Sequence, residues 1–289
     1  MAQRQALGER PEGRRFPIPH RATVLRTERI TPHMVRVVFG GPGMDRFTSG
    51  DFTDHYVKLL FLTPGVTYPE PFDLAVVRER MPREHWPRTR TYTVRAWNPQ
   101  TRELTVDFVV HGQQGLAGTW AATAAPGTEI LLNGPGGAYT PSTGADWHLL
   151  AGDESALPAI AAALPRVPVG VPVYAFVEVA GPREEQNLDA PGGVEVQWLH
   201  RGDRPVGAPL VEAVTAFKIP TGTGHVFVHG EAGAVKTLRR ALRVERGLPM
   251  EWLSISGYWR AGHDEDRWQA GKQKWNSQVE AEEQQALTS

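Results

Sequence analysis

Cysteine is absent from this chain of 289 residues. That excludes disulfides, thiolate zinc sites, iron–sulfur clusters and cysteine nucleophiles at once. Any electron-handling role must fall to a bound organic cofactor. Charge of one sign is also missing: 31 basic side chains face 32 acidic ones, for a formal net charge of −1. A nucleic-acid binder ordinarily carries a basic excess, so no nucleic-acid partner is expected. No apolar run is long enough to span a bilayer, so membrane insertion is not expected either. Met1 to Arg15 is polar and arginine-rich, without the apolar core of a secretion signal, which makes the cytoplasm the default location. The histidines lack metal-ligand spacing such as His-Glu-x-x-His, and no metal site is expected. Neither a Gly-x-Ser-x-Gly elbow nor a P-loop occurs.

What is present divides into two textures. Residues 1–18 read as a flexible tail. From 19 to 143 the pattern is all-β: Ala22 to Ile30, Met34 to Phe39, His55 to Phe61, Arg90 to Arg95, Glu103 to Val110 and Thr128 to Leu132. A Pro-rich loop leads to Arg88, and a short helix falls between Gly115 and Ala125. Six or so strands with one helix suggest a closed Greek-key β-barrel. From 144 to 262 apolar strands alternate with helices. The strands are Trp147 to Ala151, Val171 to Val179, Val194 to Leu199, His225 to His229 and Trp252 to Ser256. Uninterrupted apolar strands are those of a buried parallel sheet, so this part reads as an open α/β nucleotide-binding domain. Ser155 is expected to cap a helix carrying Pro158 in its first turn. Residues 263–289 read as a polar C-terminal extension, a mobile helix or tail.

The most informative segment is Arg90-Thr91-Tyr92-Thr93-Val94-Arg95. On a strand Arg90, Tyr92 and Val94 point one way and Thr91, Thr93 and Arg95 the other. Arg90 can grip a phosphate by two parallel hydrogen bonds. Tyr92 offers a flat ring to a flavin, and Thr93 a hydroxyl and an N–H at its edge. The same spacing also suits an amphipathic strand with exposed arginines. Asp107 to Gly112 leads into Gly115-Leu-Ala-Gly-Thr-Trp120, where glycines let backbone approach a pyrophosphate at a helix start. Alternatively those glycines serve turn geometry alone.

Ala151-Gly-Asp-Glu-Ser-Ala-Leu-Pro158 sits at a strand end where a dinucleotide would dock, yet it lacks the glycine-rich fingerprint. Asp153 and Glu154 would repel a phosphate, and acidic capping of the helix explains them as well. Gly230-Glu-Ala-Gly233 and Ser256-Gly-Tyr-Trp-Arg260 end two further strands at the same edge. Tyr258, Trp259 and Arg260 could flank a flavin's open face or form an aromatic plug. Lys58 either reaches to water from mid-strand or lines a basic pocket for an anion. Arg183 and Arg201 follow sheet strands, where a nucleotide 2′-phosphate could meet them.

Six segments in this order resemble the siderophore-interacting protein family, ferric-siderophore reductases of the ferredoxin-reductase-like superfamily. They are Asp54 to Leu60, Arg90 to Arg95, Asp107 to Gly112, Gly152 to Pro158, Gly230 to Gly233 and Gly257 to Arg260. The resemblance implies a non-covalent FAD. It places Arg90, Thr91, Tyr92 and Thr93 on the pyrophosphate and isoalloxazine. Asp107, Val109, His111, Ala117, Gly118 and Thr119 would lie along the ribityl, adenosine and phosphate portions. It suggests Asp153, Glu154, Ser155, Glu231, Tyr258 and Trp259 for NADPH or NADH, with a ferredoxin as another donor. Lys58, with Arg260, would meet an anionic ferric siderophore. The Gly134-Pro-Gly-Gly137 turn and Ser254 offer no basic side chain where some members carry one, leaving a basic triad incomplete. The implied activity is FAD-dependent reduction of ferric siderophores. A general NAD(P)H:flavin or quinone reductase, and a flavin- or siderophore-binding protein without turnover, are the alternatives.

Overall fold

The structure is a computed structural model and describes residues 18–110, 115–190 and 194–288. Six antiparallel strands close a barrel: β1 (His20–Thr31), β2 (Met34–Gly40), β3 (Tyr56–Phe61), β4 (Arg88–Asn98), β5 (Glu103–Val109) and β6 (Glu129–Gly136). Their order around the barrel is β1-β2-β5-β4-β3-β6, the Greek-key arrangement that the strand pattern suggested. Alternation drives it. Val35, Val37 and Phe39 of β2, Val57 and Leu59 of β3, and Leu104, Val106 and Phe108 of β5 fill the interior together.

The Pro-rich stretch before β4 is not wholly loop. It holds α1 (Leu74–Arg80), capped by Asp73, whose carboxylate accepts the N–H groups of Ala75 at 2.7 Å and Val76 at 3.4 Å. Leu74 and Val77 pack on Leu60 and Leu131 outside the barrel, a satellite core that the surrounding prolines hid from pattern reading. One end of the barrel is closed by α2 (Ala117–Thr123), which sets Trp120 against Phe39, Phe61 and Phe108.

The second half is a five-stranded parallel sheet of β7 (Trp147–Gly152), β8 (Val173–Val179), β9 (Glu195–His200), β10 (Gly224–Glu231) and β11 (Leu253–Trp259) in the order β11-β10-β7-β8-β9. Helix α3 (Leu157–Ala163) covers the face bearing Leu150, Ala175, Val177 and Phe227. Helices α4 (Ala208–Ala216) and α5 (Ala232–Arg240) cover the other, packing Leu210, Val214, Val235 and Leu238 on Leu149, Ala151, Phe176 and Val228. Burial on both faces is why the strands read as apolar runs. The connections from β7 run to β8 on one side and, later, to β10 on the other. The strand order therefore reverses beside β7, and a crevice opens at its carboxyl end.

Ser155 does not cap α3. Its N–H and hydroxyl both donate to the Asp153 carboxylate, and the helix begins only at Leu157. The C-terminal residues also depart from a free tail. They form α6 (Glu265–Thr288), a 24-residue helix whose Trp268 is 2% exposed and donates its ring N–H to the Tyr258 carbonyl at 3.0 Å. Trp268, Trp275 and Val279 give α6 an apolar seam within its polar composition. Further along, Glu283 pairs with Arg239 and Arg243, and Glu282 with Lys236. Among the described residues no helix is long and apolar enough to cross a membrane, and no group of side chains could hold a metal ion.

Candidate functional site

Barrel, sheet edge and α6 meet around one cavity of about 590 Å³. The barrel contributes Lys58 from β3, Thr91, Tyr92 and Thr93 from β4, and Asp107 and Val109 from β5. The sheet contributes Asp153, Glu154 and Ser155 after β7, and Tyr258, Trp259 and Arg260 at the end of β11. Residues separated by some 200 positions in the sequence thus share one space. Arg90, Ala117, Gly118, Thr119 and Glu231 do not line it, and His111 lies outside the described residues.

On β4, Tyr92 lies across from Val57 and leans its ring on Phe108, centroids 4.3 Å apart. Burial, then the nearby Glu265 carboxylate, pushes its hydroxyl pKa up, so Tyr92 stays a neutral phenol. Arg90 is already occupied. Its guanidinium makes a bidentate pair with Asp266 at 2.9 and 2.9 Å, and its Nε faces Glu265 at 3.6 Å. Glu265 also accepts the Thr91 N–H at 2.8 Å, so the first turn of α6 is stitched to the strand. Asp107 likewise has an internal partner, Arg36, at 2.7 and 2.8 Å. Gly118 sits so close to β5 that a Cβ would lie 2.7 Å from the Val109 carbonyl oxygen, which fixes α2 against that strand.

At the sheet edge Asp153 is a junction. It is buried, and its two oxygens accept four hydrogen bonds: Ser155 N–H at 2.9 Å, Ser155 Oγ–H at 2.5 Å, Glu231 N–H at 2.7 Å and Trp259 Nε1–H at 2.8 Å. One carboxylate thereby ties together the ends of β7, β10 and β11. Burial raises its pKa, and the donors pull it back. Gly230 makes the approach possible. It holds φ 141°, and a Cβ there would stand 2.7 Å from Asp153 Oδ2. Glu154 pairs with Arg201, which also bonds Glu178. The acidic pair therefore spends its charge internally, and so does Arg201. Glu231 caps α5 through the Ala234 N–H at 2.9 Å.

His229 also faces this cavity. It stacks on Phe227 at 3.9 Å, meets Tyr258 edge-on at 4.8 Å and shares a hydrogen bond with Ser254 at 3.0 Å. Burial lowers its pKa to about 3, so it is neutral. The glycines at the end of β6 make room for an aromatic. A Cβ on Gly136 would lie 2.6 Å from the Tyr56 ring, and that ring takes the space a basic side chain would need.

Sequence reasoning left the C-terminal residues as a mobile helix or tail and missed the part α6 plays in the cavity. Glu265, Trp268, Gln269 and Lys272 line the cavity at the i, i+3, i+4, i+7 spacing of one helix face. The signal was the Trp268, Trp275 and Val279 seam, diluted among charged residues.

The residues fit a flavin ring. A cavity of this size lies within the range of cofactor pockets, with aromatic rings on both walls and hydroxyls between them. The phosphate end is different, because Arg90 could serve it only by giving up Asp266.

Comparison with known proteins agrees with this layout. Residues 23–139 match the siderophore-interacting FAD-binding domain, and residues 145–262 match the siderophore-interacting protein family. An uncharacterized protein of Mycobacterium tuberculosis is 48% identical over 274 residues, covering 90% of this chain and 95% of that one. The NADPH-dependent ferric-chelate reductase of Escherichia coli is 32% identical, covering 83% and 92%. A siderophore utilization protein from T. fusca superposes with a TM-score of 0.74 at 39% identity, covering 87% and 96%. The fold is that of ferredoxin reductases: the Plasmodium falciparum ferredoxin-NADP+ reductase superposes with a TM-score of 0.61 at 8% identity, covering 83% and 96%. With both matched regions in place and in order, this chain belongs to the siderophore-interacting protein family.

Proposed function

We propose that the protein is a cytoplasmic FAD-dependent reductase that draws electrons from NADPH or NADH and delivers them to a ferric siderophore, releasing ferrous iron. The observation that carries this reading is the single cavity shared by the β4 strand and the carboxyl edge of the parallel sheet. A two-electron donor and a one-electron acceptor can both reach a group placed there.

Ferric iron is a hard cation held by oxygen-rich chelators, and ferrous iron is held far more weakly by the same oxygens. Reduction thus frees the metal and spares the chelator. When bound, FAD supplies the conversion, accepting a hydride's two electrons and yielding them singly. Tyr92 and Thr93 would hold its ring from the barrel side. Arg90, released from Asp266, would hold its phosphates. Tyr258 and Trp259, positioned by Asp153 and Gly230, would form the opposing wall that a nicotinamide shares. No side chain here needs to act as acid, base or nucleophile. Asp153 and Glu154 are committed to internal donors, so they organise the edge without presenting free charge to a dinucleotide.

The test is anaerobic. FAD-loaded protein is mixed with NADPH or NADH, then with a ferric siderophore complex in the presence of a ferrous-specific chromogenic chelator. Bleaching by a nicotinamide followed by recovery and colour supports the reading. Recovery with free flavin or quinone, and none with ferric complexes, would assign it to the general reductases.

A further inference from the structure

The charges lining the cavity are unevenly spent. Every carboxylate there has donors: Asp54 accepts the Ala138 and Tyr139 N–H groups, Glu154 pairs with Arg201, and Glu265 holds the Thr91 N–H. Asp153, Asp107 and Asp264 are likewise bonded. Three cations lining the same cavity have no carboxylate within ion-pair distance among the described residues: Lys58, Arg260 and Lys272. They come from three separate elements, β3, the end of β11 and α6. The carboxylate oxygens are thus engaged by donors of the protein itself, while these three cations keep their charge available to an anion that enters.

We infer that Lys272 of the C-terminal helix is a substrate-binding residue, joining Lys58 and Arg260 in holding a polyanionic, oxygen-rich ferric chelate. This rests on the reductase reading above and names a recognition element for it. Lys272 lies one helical turn beyond Trp268, and its ammonium sits 5.9 Å from that ring's centroid, over an aromatic face rather than a carboxylate. Burial lowers its pKa, the Glu265 carboxylate pulls it back part of the way, and the neighbouring charge of Lys58 adds a smaller downward push. Lys58 and Lys272 repel each other, and an anion held between them relieves that repulsion. The position also answers the deficit in the sequence. Where the space beside Gly136 is filled by the Tyr56 ring and Ser254 is bonded to His229, α6 supplies a charge to the same cavity.

The experiment uses full-length, FAD-loaded protein and equilibrium ultrafiltration with bound iron as the readout. The probes are the ferric complex of a hexadentate tris-catecholate, which carries three negative charges, and that of a hexadentate tris-hydroxamate made neutral. Lys272→Gln is expected to raise the Kd for the anionic complex about tenfold, roughly the worth of one screened charge contact. It should leave the neutral complex unchanged, and Lys272→Arg should restore binding. A separate NADPH titration should be unaffected by Lys272→Gln. Equal affinity of wild type and Lys272→Gln for the anionic complex overturns this inference and leaves the reductase reading standing. So does a loss confined to NADPH, which would make the cations a nucleotide-phosphate site. Failure of the wild type to bind either iron complex overturns both. Lys272→Arg unable to restore binding in a folded variant shows a packing role and also overturns the inference.

Discussion

Replacing Asp153 by Asn removes one charge and changes almost no volume, so it isolates what the buried carboxylate does. Each oxygen accepts two bonds, Oδ1 from Ser155 and Oδ2 from Glu231 N–H and Trp259 Nε1–H. An amide nitrogen at the Oδ2 position would face two donors with donors of its own. A hydrogen bond to a charged group contributes about 1.5–3 kcal/mol, so losing both costs roughly 3–6 kcal/mol. Flipping the amide recovers part of this, because the Ser155 hydroxyl can turn from donor to acceptor, but it strands the Ser155 N–H. Relief from burying a charge offsets some of the remainder, since burial already raises the Asp153 pKa. The expected net loss is about 3 kcal/mol, a large share of a typical 5–15 kcal/mol stability. Equilibrium urea unfolding of Asp153→Asn against wild type reads it, with an unchanged slope and a lower midpoint. The Trp259 contribution to fluorescence should shift as its ring N–H loses a charged partner. A destabilisation below about 0.5 kcal/mol would refute the view that this carboxylate joins three strand ends.

Two desolvated histidines, one buried and one half-buried, make stability fall in acid. His229 and His225 have pKa values lowered to about 3 and about 4 by burial. Their contribution is complete above the unfolded value of 6.5 and drains away as pH falls toward those folded values. Between pH 6.5 and 4.5 His229 alone should cost on the order of 3 kcal/mol, so His229→Asn should flatten the pH profile of urea unfolding; profiles that run parallel would contradict this. Tyr92→Ala should weaken FAD retention on dialysis by at least about tenfold, because a lost aromatic face costs on the order of 1 kcal/mol or more beyond its area. Retention equal to wild type would remove Tyr92 from the ring site. Asp266→Asn should release Arg90 and tighten FAD about fivefold in a fluorescence titration, the scale of one partly exposed ion pair. Weaker binding would show instead that the pair persists in the loaded protein.

The two-layer architecture was legible because its periods differ. Alternation in β5 marks a barrel interior, while the uninterrupted apolar run of β7 marks a strand covered on both faces. The site was legible as a set of segments, and the cavity gathers Lys58, Thr91, Tyr92, Thr93, Tyr258, Trp259 and Arg260. Partnerships were not legible. Arg90 reads as a free phosphate grip until Asp266, far along the chain, is seen to hold it. The Asp153–Glu154 pair looks hostile to a nucleotide until its donors from β10, β11 and Arg201 are placed. The docking of α6 was hidden for a related reason. Its seam is three apolar side chains, and the rest of its anchorage is ion pairs that only the fold brings together.

The most direct test of the account is a single anaerobic experiment on the purified protein titrated with FAD. The account predicts a stoichiometric yellow complex, bleached by NADPH or NADH, whose colour returns on adding a ferric siderophore as two ferrous ions appear per nicotinamide oxidised. A protein that takes up no FAD, or a reduced complex that ferric siderophore leaves bleached, would contradict it.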